Sequence, residues 1–96
     1  MANIIYNIKS EMYPYEVYRQ FRNCYENQLV VENRTLGIFD MEGVSVILHK
    51  DKKVGLMIGE SRSNLDKIIS KINTSFKLKI EESGDSMEKA LRSLVV

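Results

Sequence analysis

The chain carries one histidine, His49, and one cysteine, Cys24. For His49 to act as a general base it would have to meet a nucleophile and an orienting carboxylate, and Ser45 and Asp51 are only its neighbours in sequence. A metal site needs several ligands converging at once, and no cysteine stands near His49. His49 therefore reads as a strand residue beside a turn. Cys24, on the apolar side of a helical pattern, reads as a small buried hydrophobe. Gly55 and Gly59 do not make a phosphate-binding fingerprint: the junction Gly59-Glu60-Ser61-Arg62-Ser63 lacks closely spaced glycines and puts an acid where an anion would sit.

Two further groups have the right chemistry for nucleic acid. Lys50, Lys52 and Lys53 form the one tight basic group, and Arg62, Lys67 and Lys71 could extend it along one end of the molecule. Lysines at a hairpin tip also deter unwanted strand pairing, which is the commoner reason for finding them there. Tyr13, Tyr15, Tyr18 and Tyr25 could stack on bases, but their spacing matches the packing face and shoulders of one helix.

The elements that would position these residues follow from hydrophobic period. Asn3–Lys9 alternates as a strand, and Pro14 can open a helix that carries Val17, Tyr18, Phe21, Cys24 and Tyr25 and ends between Asn23 and Gln28. Leu29-Val30-Val31 is a short strand, Glu32-Asn33-Arg34 a turn, Thr35–Asp40 a strand interrupted by Gly37, and Glu42-Gly43 another turn. Val44–His49 and Val54–Gly59 then form a hairpin with Ile47 opposite Leu56, closed by an Asp51-Lys52 turn or by a looser loop. Ser63 with Asp66 has capping-box spacing, and Leu65, Ile68, Ile69 and Ile72 mark an amphipathic helix. Phe76–Ile80 is either a further strand or an extension of that helix. Asp85 with Glu88 caps a short final helix marked by Met87, Ala90, Leu91 and Leu94.

The hairpin is unusual in being apolar on both faces. A sheet with helices on one side and water on the other should alternate cleanly, whereas here Val44, Val46, Leu48 and Met57 point one way and Ile47, His49, Val54, Leu56 and Ile58 the other. Ile5 of the first strand joins the second set. Such an outer face marks a partner, a ligand or a second packed layer, and the mildest account is that Ser86–Val95 folds across it.

With 96 residues the chain is one domain, residues 1–96. Its 44% hydrophobic and 28% charged content is that of an ordinary globular protein. Fourteen basic against thirteen acidic residues leave a net charge of +1, so no global field draws it to nucleic acid or anionic lipid. The single cysteine fits a reducing interior, and no apolar run has the length of a membrane span or the form of a signal peptide. A cytoplasmic location is the expectation.

The order strand, helix, three strands, helix over Asn3–Asn73 resembles one half-repeat of the TATA-binding protein family. Asn3-Ile4-Ile5 is similar to that family's opening strand, Arg22-Asn23 to the end of its first helix, Val44–His49 to the strand before the hairpin tip, and Lys53–Gly59 to the strand before the second helix. The resemblance implies a sheet face holding Asn3, Ile5, Ile47, His49, Leu56 and Ile58 that would lie in a DNA minor groove, with two repeats forming a saddle. This chain has one repeat, and His49 stands where the family has a wedging Phe. A second similarity, over Val44–Ile80, is to the small dimer-forming subunit of the KEOPS tRNA-modification complex, which implies an assembly role.

These readings converge on an α+β fold with an antiparallel sheet of about four to five strands and two helices on one face, ordered β-α-β-β-β-α with room for a further strand and a short helix. The expected role is non-enzymatic: a module that self-associates or docks a protein partner through Ile5, Ile47, His49, Val54, Leu56 and Ile58. The alternative is a DNA-binding homodimer contacting nucleic acid through Asn3, Lys50, Lys52, Lys53 and Arg62. No cofactor, metal, small-molecule substrate or membrane is expected to take part.

Overall fold

Alternation at Ile4, Tyr6 and Ile8 builds the first strand, β1 (Ile4–Ser10), as expected. The structure, a computed structural model, describes residues 3–12, 16, 19 and 25–96, with 73–76 as backbone. The remaining strands are β2 (Tyr25–Val31), β3 (Arg34–Met41), β4 (Val44–His49), β5 (Val54–Gly59) and β6 (Leu78–Glu82). They form one antiparallel sheet of six strands in the order β2-β3-β4-β5-β1-β6, more strands than the four to five expected. Two helices are described, α1 (Arg62–Phe76) and α2 (Met87–Val95).

The extra strands have identifiable causes. Tyr25–Gln28, expected at the end of a helix, is strand because it pairs with Ile38–Asp40 of β3 to Gln28 opposite Gly37, and Tyr25 is exposed at the sheet margin rather than part of a helical packing face. Lys77 takes a left-handed conformation, φ 50°, which stops α1 after Phe76 and turns the chain so that β6 can pair with β1. That decides between strand and helix extension for Phe76–Ile80. Of the expected first helix, Glu16 and Arg19 are described, both helical, while Val17, Tyr18, Phe21 and Cys24 lie outside the described residues, as do Tyr13 and Tyr15.

Tight turns set the register of the β2–β3 and β3–β4 pairings. Glu32 and Asn33, φ 49° and 63°, and Glu42 and Gly43, φ 48° and 82°, are two-residue loops whose positive φ values suit the twist of the strands they join. The β4–β5 connection is the looser alternative, running through Lys50–Lys53, yet Ile47 stands opposite Leu56 as the pattern predicted. Gly55 permits close contact here: a Cβ at that position would lie 2.6 Å from the Ile47 carbonyl oxygen and 2.7 Å from Leu48 Cδ2.

The sheet is buried on both sides. Beneath it, Leu65 and Ile68 of α1 pack with Tyr6, Ile8, Phe39, Val44, Val46, Leu48 and Met57. Above it, Ala90, Leu94 and Val95 of α2 pack with Ile5, Leu36, Ile47, Leu56 and Ile58. The described helices thus lie on opposite faces, and the final helix supplies the second layer. Their caps sit where the backbone turns: Ser61, not Ser63, caps α1 by accepting from Asn64 N–H, and Ser86, not Asp85, caps α2 by accepting from Lys89 N–H.

Two substitutions test this account by urea denaturation. Gly55→Ala should destabilise by about 1–3 kcal/mol, because the methyl group meets backbone that cannot move aside cheaply. Lys77→Gly should stabilise by about 0.5–1 kcal/mol by relieving a left-handed side-chain residue at the helix end.

Candidate interaction surfaces

Face, helix, hairpin tip and sheet margins are the surfaces to weigh. The residues expected on the outer face do lie together: Ile5, Ile47, Leu56 and Ile58 are buried neighbours in one cluster, with Val54 half-buried beside them. They are not open to solvent, because α2 covers them. Met87 at its start lies by Ser45, Ile47 and Ile58, and at its far end the Val96 carbonyl accepts from Lys52 Nζ at 2.8 Å. The helix therefore runs along the face from the β3–β4 turn to the hairpin tip. At nine residues it is too short to persist by itself in water, so its order derives from the apolar stripe it buries.

A groove of about 570 Å³ remains beside the start of α2. Its floor is Ile38, Ile47, Ile58 and Met87, and Asn3, Ser45 and Asn64 supply polar groups along its rim. Ser45 Oγ donates to Asp40 Oδ1 at 2.8 Å across the β3–β4 pair, so the polar end of the face is satisfied internally.

His49 is 2% exposed, at the end of β4. Its Nδ1 accepts the Asp51 N–H at 2.9 Å, so the ring proton of the neutral form resides on Nε2. That buried Nε2 has no hydrogen-bond partner among the described residues, a deficit worth about 1–3 kcal/mol. A second proton would place two N–H groups face to face at Nδ1. Burial lowers the His49 pKa below its ordinary 6.5; Asp51 raises it, and Lys52 and Arg34 lower it. With one nitrogen engaged and the other sealed, the ring cannot serve as a base toward an outside substrate.

Lys52, Lys53, Arg62 and Lys71 are held by other contacts. Arg62 makes paired hydrogen bonds to Glu82, 2.7 and 2.9 Å, and a longer one to Tyr6 Oη, which ties the start of α1 to β6. Those bonds hold the Glu82 carboxyl below the usual range and raise the Arg62 pKa. Lys52 caps the α2 end as described, Lys53 Nζ donates to the Glu11 carbonyl, and Lys71 pairs with Glu42 at 3.2 Å. Lys50 follows His49 at the tip, and Asn3 is exposed at the groove. The structure brings Lys50, Lys52 and Lys53 together in the tip loop but sets Arg62 apart, at the start of α1.

Among the described residues no group of three or more His, Cys, Asp or Glu side chains comes together, and no helix is long and apolar enough to cross a membrane. The feature that sequence reasoning missed is the margin of the sheet at β2, whose polar Glu26-Asn27-Gln28 run lacks the alternation of a half-buried strand. Only the two-residue turn after it, at Glu32-Asn33, hints at a hairpin partner upstream.

The sign of the His49 contribution is testable. Above pH 6.5 both folded and unfolded chains are neutral there; below it the unfolded chain takes up the proton first, so stability falls as pH drops from 6.5 toward the lower folded-state value. Urea midpoints between pH 7.5 and 5 should show that loss, with a slope bounded at about 1.4 kcal/mol per pH unit for one proton. In His49→Gln, which keeps an acceptor for Asp51 without a titrating ring, the loss in this window should vanish.

Comparison of the chain with protein-family models, with curated proteins and with solved structures finds no match.

Proposed function

We propose that the protein is a non-enzymatic interaction module whose outer sheet face is a seat for an amphipathic helix. In the isolated chain α2 takes that seat; in an assembly the equivalent helix of a second copy, or of a protein partner, takes it. The observation that carries this reading is the packing itself: Ala90, Leu94 and Val95, with Met87 and Leu91 at the margins, fill the surface made by Ile5, Leu36, Ile47, Leu56 and Ile58. Anchors spaced along one helix face and received by a preformed apolar surface are the mode by which many domains bind helical partners. Ser83 N–H still donates to the Ile5 carbonyl of β1 at 2.8 Å, and the exposed Gly84 and Asp85 after it make the short tether from which α2 starts.

The half-repeat resemblance belongs to this proposal too, on the residues that carry it; four strands, β2–β5, stand between β1 and α1, one more than in that order. The nucleic-acid reading draws on the same face, over which α2 lies, and on Lys52 and Arg62, which already bind Val96 and Glu82. It would require α2 to leave.

A labelled peptide with the sequence of residues 83–96 tests the proposal by fluorescence anisotropy. The native chain should bind it weakly, since the tethered helix competes at an effective concentration of roughly millimolar order. A Leu94→Asp chain, its own helix weakened, should bind the native peptide at least tenfold more tightly. Absence of saturable binding to the Leu94→Asp chain, shown by circular dichroism to retain its sheet, would remove the reading.

A further inference from the structure

The two margins of the sheet differ in kind. β6 is five residues long and Lys79, Glu81 and Glu82 are charged, which is how natural sheets blunt an edge against pairing. β2 is seven residues long, has Glu26 as its one charge and contains neither lysine nor proline. It ends the strand order, and no described strand lies beyond it. Tyr25 and Val30, 68% and 66% exposed, are the large apolar side chains left in water along it.

The direction of the backbone groups along its outer side follows from the turn. Glu32 and Asn33 form a two-residue loop, so Val31 and Arg34 are the closing pair that exchanges both backbone hydrogen bonds. Alternate residues then repeat the pattern: Leu29, Asn27 and Tyr25 direct their N–H and C=O groups to β3, while those of Val30, Gln28 and Glu26 point away from the sheet. The outward set is symmetric about Gln28. An identical strand laid antiparallel with Gln28 opposite Gln28 brings Glu26 opposite Val30, so every outward donor meets an outward acceptor. The same register sets exposed Tyr25 against half-buried Val31, an aromatic against a β-branched side chain, and Asn27 against Leu29. No like charges face each other.

We propose that a second copy of this chain pairs antiparallel along β2, joining two six-stranded sheets into one continuous sheet across a two-fold axis at Gln28. The interface adjoins the outer face, since Leu29 and Val31 of β2 also pack against the cluster under α2, but its backbone pairing leaves α2 in place. One strand pair buries less than a standard protein interface, so the dimer is weak and concentration-dependent.

Sedimentation velocity of the full chain over a concentration series reaching the high micromolar range should show a monomer–dimer equilibrium. Gln28→Pro removes an N–H that points outward, so the β2–β3 ladder and the circular dichroism spectrum should persist while dimerisation weakens at least tenfold. Val30→Lys, at an exposed position, should weaken it similarly and covers the case in which proline disturbs the strand. Val30→Lys, whose side chain lies on the sheet face opposite α2, should leave binding of the residue 83–96 peptide to the Leu94→Asp chain unchanged, which separates this interface from the helix seat. A native chain that stays monomeric throughout, or a dimer that survives both β2 variants, would overturn the proposal.

Discussion

A hairpin apolar on both faces is the constraint on which the rest of the structure depends. Val44, Val46, Leu48 and Met57 need cover from below, and Ile47, Leu56 and Ile58 need it from above. A single layer of helices satisfies half of that requirement. The chain meets the other half by returning through β6, on the far side of β1, and laying α2 over the remaining face. Burial of each such side chain contributes roughly 1.5–3 kcal/mol, so both layers add substantially to a stability of ordinary marginal size.

Polar contacts then sort by position. Those joining elements at the periphery, Arg62 to Glu82 and Lys71 to Glu42, are half or more exposed and act as positional ties rather than as sources of stability. His49 is the exception, a polar ring sealed where the hairpin tip meets the second layer, with one nitrogen used to shape the tip and the other unsatisfied. A purely apolar residue would avoid that deficit but would leave the Asp51 N–H without its acceptor.

Much of this architecture was legible from residue pattern because its signals are local. The β4–β5 register follows from matched apolar runs, α1 from Leu65, Ile68, Ile69 and Ile72, and the last helix from Met87, Ala90, Leu91 and Leu94. Even the membership of the outer face was readable, since side chains alternate along a strand. What covers that face was not, because the choice between the chain's own helix and a foreign one depends on where the Ser83–Ser86 link lets α2 go. β2 was illegible for a related reason: Glu26, Asn27 and Gln28 are held in extended form by β3 rather than by any preference of their own. Helix caps shifted between neighbouring residues, Ser63 to Ser61 and Asp85 to Ser86, because several polar residues at each junction could fill the role.

Because α2 follows every strand in the sequence, the two faces of the sheet are closed by different parts of the chain. The lower layer's described contributors all precede Met87, so undocking α2 bares the upper face while leaving the sheet packed on α1. In that state Ile5, Ile47, Leu56 and Ile58 form a contiguous sticky surface, the kind through which partly folded chains aggregate. Docking of the final helix ends the exposure. The same geometry makes loss of residues 87–95 a defect of solubility as well as of stability, since it bares these side chains together.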